Sequence, residues 1–83
     1  MSGGDHLELD LRGLKCPLPV LKTRRQMRDL TSGARIRVET TDPLAVIDIP
    51  HYCREDGHQL LDSVSVDGGH VFVIEKGSQP SEQ

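Results

Sequence analysis

The spacing of apolar residues changes several times along this 83-residue chain, and this change constrains its fold more than any other feature. Residues 6–11 alternate, with Leu7, Leu9 and Leu11 on one side, which is typical of a half-buried strand. Later segments switch to the 3.6-residue period of an amphipathic helix and then back to alternation. The pattern predicts strand, helix, strand, helix, strand, strand at residues 6–11, 17–30, 34–40, 42–57, 59–66 and 70–75.

Short breaker motifs support these boundaries. Gly13 and Gly33 interrupt the pattern after an apolar segment, and Gly57 is placed to close the second helix. Asp42-Pro43 fits a helix start, with Asp42 as N-cap and Pro43 at the first helical position. Asp67-Gly68-Gly69 separates the last two strands at hairpin spacing.

This order of elements predicts an α/β (α+β) two-layer sandwich with βαβαββ topology. Strand–helix–strand units favour parallel strands joined by right-handed crossovers, whereas the final hairpin is antiparallel. We therefore expect a mixed four-stranded sheet with both helices on one face. A chain of this length forms one domain, which we place at residues 6–76, with flexible tails at residues 1–5 and 77–83.

Composition excludes several classes of protein. No apolar run approaches the roughly 20 residues of a membrane span, and no secretory signal precedes the first strand. We therefore expect a cytoplasmic location, where both cysteines, Cys16 and Cys53, are reduced and have roles other than a structural disulfide. Aromatic residues make up only 2% of the chain, which argues against a base-stacking surface for single-stranded nucleic acid.

Charge is unevenly distributed, although the net charge is only −3. Residues 12–37 contain eight Lys or Arg and one Asp, a charge of +7, whereas the rest of the chain carries −10. This asymmetry suggests a basic face that binds an acidic partner. A solvated helix face that is basic by chance explains the count equally well.

A cysteine stands where the first predicted helix begins, within the segment Leu9-Asp10-Leu11-Arg12-Gly13-Leu14-Lys15-Cys16-Pro17-Leu18-Pro19. Pro17 and Pro19 fall in the first turn, where a missing N–H costs little, and they stiffen the junction. A buried cysteine that caps the helix is the alternative. Cysteine is a poor N-cap, so we favour a reactive Cys16.

Positive charge surrounds this cysteine in sequence. The helix N-terminus carries partial positive charge, and Arg12 and Lys15 add two cations. Such a field favours the thiolate, the form of cysteine that attacks sulfur. The sequence therefore predicts that the pKa of Cys16 is lowered, with Arg12, Gly13, Lys15, Pro17 and Pro19 supporting the site.

The motif Gly-x-x-Cys-Pro-x-Pro after a short strand resembles the TusA/SirA-like family of sulfur carriers. The resemblance continues through Asp42-Pro43, Asp48-Ile49-Pro50, Tyr52-Cys53 and Gly57-His58, and covers about residues 7–76. It implies a two-layer α/β sandwich and a sulfurtransferase that carries sulfane sulfur as a persulfide on the motif cysteine, here Cys16.

The resemblance also implies partners. Sulfur would come from a cysteine desulfurase or a rhodanese-like protein and would pass to an acceptor relay protein. The destinations it implies are a tRNA 2-thiolation relay, sulfur oxidation or cofactor assembly. We expect no cofactor, no direct nucleic-acid partner, no membrane partner and a monomer when free. Whether such a carrier counts as an enzyme stays open.

Cys53 falls on an apolar stripe with Val46, Ile49 and Pro50, so we interpret it as a core residue. If the two helices are parallel, Cys53 lies roughly 15 Å along the axis from Cys16, too far for a disulfide. The four histidines have no compact metal-ligand spacing with each other or with cysteine, so we predict no metal site.

The first predicted helix has two different faces. Val20, Thr23, Met27 and Leu30 should contact the sheet. The other side presents apolar and basic residues that we predict to bind a partner: Leu18, Leu21, Lys22 and Arg25. Packing of the two leucines on the loop around Leu14 is an equally good explanation.

Two other functions stay open at this point. The basic segment suits a non-catalytic regulatory or RNA-associated module, although the acidic total and scarce aromatics weaken that reading. A thiol redox protein is the third possibility, but the chain has no Cys-x-x-Cys pair. A sulfur carrier fits the Cys16 junction best.

Overall fold

A computed structural model describes residues 6–77 and contains the predicted order of elements. Strand β1 spans His6–Leu11, helix α1 Leu18–Arg28, strand β2 Arg35–Thr40, helix α2 Ala45–Asp56, strand β3 Gln59–Val66 and strand β4 Gly69–Glu75. The predicted tail residues 1–5 and 78–83 lie outside the described part. Gly77 lies inside it, and its backbone N–H donates to His58 Nδ1 at 3.0 Å.

The four strands form one mixed sheet in the order β1-β2-β4-β3. β1 and β2 are parallel, with Leu11 opposite Thr40. β4 is antiparallel to both β2 and β3, and the β3–β4 register shifts between Leu60 and Asp62. The parallel pair brings the carboxyl ends of β1 and β2 together, so the loops that follow them are neighbours.

The core lies between the sheet and the two helices. The alternation of β1 holds, because Leu11 is buried and Leu7 and Leu9 pack against the core while Glu8 is exposed. The fully buried centre of the core takes side chains from both helices and from the sheet, and includes Met27, Ile36, Val38, Ile49, Phe72 and Ile74. The α+β two-layer prediction, with both helices on one face, is confirmed.

Contacts between the helices show that they run parallel and in register. Cys16, just before α1, touches Asp48 of α2, and Arg24 of α1 lies 4.0 Å from Asp56 of α2. The sequence separation is 32 residues in both pairs, so the helices advance side by side. The start of α1 therefore lies beside the first turn of α2.

Two details of helix α2 differ from the sequence prediction. The helix begins at Ala45, because Asp42–Leu44 form a turn in which Asp42 Oδ1 accepts the Leu44 N–H at 3.2 Å. Val46, assigned to the buried stripe, is 42% exposed. The buried face consists instead of Ala45, Ile49, Tyr52 and Cys53.

Within residues 6–77, no helix is long and apolar enough to cross a membrane.

Candidate functional site

Cys16 lies on a short loop between β1 and α1. The strand ends at Leu11, and the loop then turns at Gly13, whose φ of 87° lies in the left-handed region that glycine adopts without strain. The Gly13 N–H donates to Thr41 Oγ1 at 2.8 Å, and the Leu14 N–H donates to the Leu11 carbonyl at 3.2 Å. These bonds hold the loop against the β2–α2 connection and leave Cys16 exposed.

Helix α1 begins at Leu18, one residue after the predicted start at Pro17. Pro17 is the N-cap residue, and no side chain caps the helix. Pro19 is buried in the first turn, where the Thr23 hydroxyl donates to its carbonyl at 2.8 Å. The thiol of Cys16 is therefore free of a capping role.

Two carboxylates of the β2–α2 region contact Cys16. Asp42 Oδ2 accepts the backbone N–H of Cys16, while its other oxygen accepts the Leu44 N–H. Asp48 Oδ2 accepts a hydrogen bond from Cys16 Sγ at 3.0 Å. Asp42 thus fixes the backbone of the cysteine, and Asp48 holds its thiol.

The expected lowering of the Cys16 pKa is wrong. The hydrogen bond to Asp48 raises the pKa of Cys16, and desolvation and the charges of Asp48 and Asp42 raise it further. A carboxylate at hydrogen-bond distance stabilises the thiol and opposes the thiolate.

The anticipated cations and helix terminus do not compensate for this effect. Arg12 Nε and Nη2 both contact the Asp10 carboxylate at 2.9 Å, so that cation is paired away from the thiol. Pro17 and Pro19 supply no N–H at the helix start, and the Leu18 N–H donates to the Lys15 carbonyl at 2.8 Å. The helix terminus thus offers fewer free donors than its position suggests.

A shallow groove of about 400 Å³ extends from Cys16 between the two helices. Residues of α1 form one side and residues of α2 the other. Its lining is mixed in charge and includes Pro17, Val20, Arg24, Asp48, His51 and Glu55. A partner that reaches Cys16 therefore meets both helices.

The predicted partner-binding residues all lie on the surface. Leu18 is 42% exposed and Leu21 is 47% exposed, and Lys22 and Arg25 are exposed as well. Lys15 is also exposed on the Cys16 loop. Sequence reasoning missed the apolar surface at the start of α2, where Leu44, Val46 and Ile47 are 50%, 42% and 64% exposed.

Cys53 is separated from this site by its orientation. It is 2% exposed and lies in the core cluster, and burial raises its pKa to about 11. Asp48 marks the level of Cys16 on α2, so Cys53 lies only about 7.5 Å further along the axis, half of the predicted offset. Five residues also turn the helix by about 140° from the direction of Asp48, which points Cys53 towards the sheet.

Residues 6–77 contain no group of three or more His, Cys, Asp or Glu side chains able to hold a metal ion. The site consists of an exposed thiol, two carboxylates and a groove between parallel helices. Such an arrangement suits chemistry at one sulfur atom that another protein can approach.

A sequence model of the family described as sulfurtransferase TusA matches residues 7–76. The chain belongs to the TusA family. Sulfur carrier protein TusA of Allochromatium vinosum is 36% identical over 69 residues, which cover 83% of this chain and 91% of that protein. Sulfur carrier protein TusA of Pseudomonas syringae is 39% identical over 71 residues, which cover 86% of this chain and 84% of that protein.

A solved structure supports the fold of this TusA family member. The SirA-like protein from Desulfitobacterium hafniense superimposes with a TM-score of 0.76 at 20% identity, covering 86% of this chain and 97% of that one. The resemblance read from the Cys-Pro-Leu-Pro motif is thereby confirmed at the level of family and fold. A sulfur carrier implies a donor and an acceptor for its sulfur.

Proposed function

We propose that this protein is a sulfur carrier that accepts sulfane sulfur as a persulfide on Cys16 and passes it to a downstream acceptor. The observation that carries the proposal is the exposure of the motif cysteine on a loop fixed by hydrogen bonds, within a TusA family match over residues 7–76. The second cysteine, Cys53, is buried and points away from this surface.

The transfer needs no group beyond the two sulfur centres. The Cys16 sulfur attacks the outer sulfur of a donor persulfide, a new S–S bond forms, and the donor's own S–S bond breaks. The proton of the Cys16 thiol ends on the departing donor thiolate. In delivery, the acceptor sulfur attacks the outer sulfur of the Cys16 persulfide, and the S–S bond at Cys16 breaks. The proton of the acceptor thiol ends on Cys16, which is a thiol again.

The partners we propose are a cysteine desulfurase or rhodanese-like donor and a sulfur-acceptor relay protein. The exposed side of α1, with Leu18, Leu21, Lys22 and Arg25, is the docking surface in this proposal because it adjoins Cys16. We place the protein in the reducing cytoplasm as a free monomer, with no direct nucleic-acid contact and no resident cofactor.

The direct test is sulfur loading of the purified chain. Incubation with a cysteine desulfurase, cysteine and pyridoxal phosphate should add the mass of one sulfur atom to the intact protein. Cys16→Ser should abolish this gain and remain folded, because the thiol caps no helix and Pro17 is the N-cap. Equal loading of the serine variant and the wild type would contradict the proposal.

A further inference from the structure

Asp48 is the side chain that forms a hydrogen bond with the sulfur of Cys16. It lies in the first turn of α2, half-buried, with Oδ2 3.0 Å from Cys16 Sγ. Both oxygens of Asp42 accept backbone N–H groups, so that carboxylate has a structural role. Among residues 6–77, no other donor forms a hydrogen bond with the Asp48 carboxylate, which leaves the thiol as its partner.

We propose that Asp48 shifts the equilibrium of Cys16 from the loaded persulfide towards the empty thiol. It stabilises the thiol by a hydrogen bond and opposes the negative charge of the persulfide. The inference rests on the proposed function and deepens it, because a carrier must release sulfur as readily as it accepts it. In this role Asp48 acts directly on the reacting sulfur of Cys16, through its hydrogen bond and its charge.

The exchange equilibrium shows how Asp48 acts. A donor persulfide and the Cys16 thiol give the Cys16 persulfide and the donor thiol, with one S–S bond formed and one broken. A persulfide is more acidic than the corresponding thiol, so loading replaces a neutral group by an anion at neutral pH. The persulfide anion cannot donate a hydrogen bond to Asp48, and its negative charge lies beside a carboxylate. Loading therefore exchanges an attractive contact for a repulsive one.

Other charged side chains of the groove contact one another. Arg24 lies 4.0 Å from Asp56, and His51 lies 3.9 Å from Glu55. The charged and titratable groups that line the groove or contact the Cys16 backbone are Arg24 on α1, Asp42 before α2, and Asp48, His51, Tyr52, Glu55 and Asp56 on α2. Lys15 precedes Cys16 on the loop and is exposed. Within the described chain, Asp48 alone among these side chains forms a hydrogen bond with the sulfur.

The test measures how sulfur partitions between the full-length protein and glutathione. Wild type, Asp48→Asn, Asp48→Glu and the control Glu55→Gln are equilibrated with glutathione persulfide and glutathione at neutral pH. Intact mass spectrometry then gives the ratio of loaded to empty protein. Glu55→Gln removes one charge from the same exposed helix surface without touching the Cys16 hydrogen bond.

Asp48→Asn should raise the loaded-to-empty ratio by about tenfold, the usual effect of one carboxylate at contact distance. Asp48→Glu and Glu55→Gln should stay within about threefold of the wild type. The same Asn substitution should lower the pH midpoint of Cys16 alkylation by iodoacetamide. Circular dichroism of each variant is the control for correct folding.

Failure of this inference and failure of the proposed function give different results. If all chains load but Asp48→Asn matches the wild type in both partition and alkylation, Asp48 does not tune the sulfur. If Glu55→Gln raises the ratio as much as Asp48→Asn, general surface charge explains the effect instead. If neither the wild type nor any variant accepts sulfur, the proposed function fails and this inference fails with it.

Discussion

At the residue scale, the environment of Cys16 favours the protonated thiol over the thiolate. Asp48 and Asp42 raise the pKa of Cys16, so less of the thiolate is present at neutral pH than for an ordinary cysteine. The thiolate is also the form that oxidants and electrophiles attack. The two carboxylates therefore make this exposed cysteine less reactive towards oxidants and electrophiles.

The two cysteines should respond differently to substitution. Cys53 is 2% exposed among core residues, and burial raises its pKa to about 11, so it is an inert packing residue. Cys53→Ala should load sulfur at the wild-type rate and lose about 1 kcal/mol of unfolding free energy. Loading assays and urea denaturation check the two parts, with Cys16→Ser as the matched cysteine removal at the surface. Loss of sulfur transfer in a folded Cys53→Ala protein would contradict this interpretation.

At the element scale, the exposed side of α1 should govern how fast a donor reaches Cys16. Lys22 and Arg25 are exposed on this side beside Leu18 and Leu21. Reversing both charges (Lys22→Glu with Arg25→Glu) should slow sulfur acceptance several-fold at low salt and less at high salt, because salt screens the repulsion of an acidic partner. Leu18→Ala should slow transfer with little dependence on salt, since it removes an apolar contact.

Initial rates of persulfide formation against donor concentration at two ionic strengths make this measurement. The matched control is Arg35→Glu with Arg54→Glu, an equal change in charge at exposed positions. Arg35 begins β2 and Arg54 lies in the last turn of α2, whereas Cys16 follows the carboxyl end of β1. Equal slowing by both double variants would assign the effect to net charge rather than to a docking surface.

Local patterns predicted the elements, but contacts between distant segments defined the site. Alternation in β1 and the glycine at position 57, whose φ is 76°, follow from short-range rules. Helix α2 begins only at Ala45, and its buried face includes Ala45 and Tyr52, whereas Val46 is exposed. Positions 45 and 46 both fit a helical period with Ile49 and Cys53, so periodicity alone could not assign Val46 correctly. The Cys16–Asp48 contact spans 32 residues and depends on how two helices pack, so the sequence offered no local signal for its effect on the thiol.

At the scale of the whole molecule, the fold separates reactivity from stability. Cys16 lies at the end of the sheet where β1 finishes and the helices begin. The opposite end is closed by the segment after β4: the Lys76 N–H donates to the Ala34 carbonyl, and the Lys76 ammonium donates to the Met27 carbonyl. Changes in the docking surface therefore leave the closing contacts intact, and stability can be tested independently of sulfur transfer.

His58 provides that test through pH. It follows the C-cap of α2, and its Nδ1 accepts the Gly77 N–H at 3.0 Å, which requires an unprotonated nitrogen. Desolvation lowers the pKa of His58 below its ordinary value of 6.5, so the unfolded chain binds the proton more readily than the folded one. Stability should therefore be complete above about pH 6.5 and fall as the pH drops below it.

Thermal unfolding between pH 7.5 and pH 5.5 isolates this contribution. Asp10 stays ionised throughout that range, because its hydrogen bonds with Arg12 lower its pKa to about 2. The wild-type midpoint should fall with pH, and His58→Gln should reduce the fall because it removes the titrating ring. His51→Gln, which replaces an exposed histidine of α2, should retain the wild-type response. If His58→Gln loses as much stability on acidification as the wild type, the closing contact at Gly77 does not depend on a neutral His58.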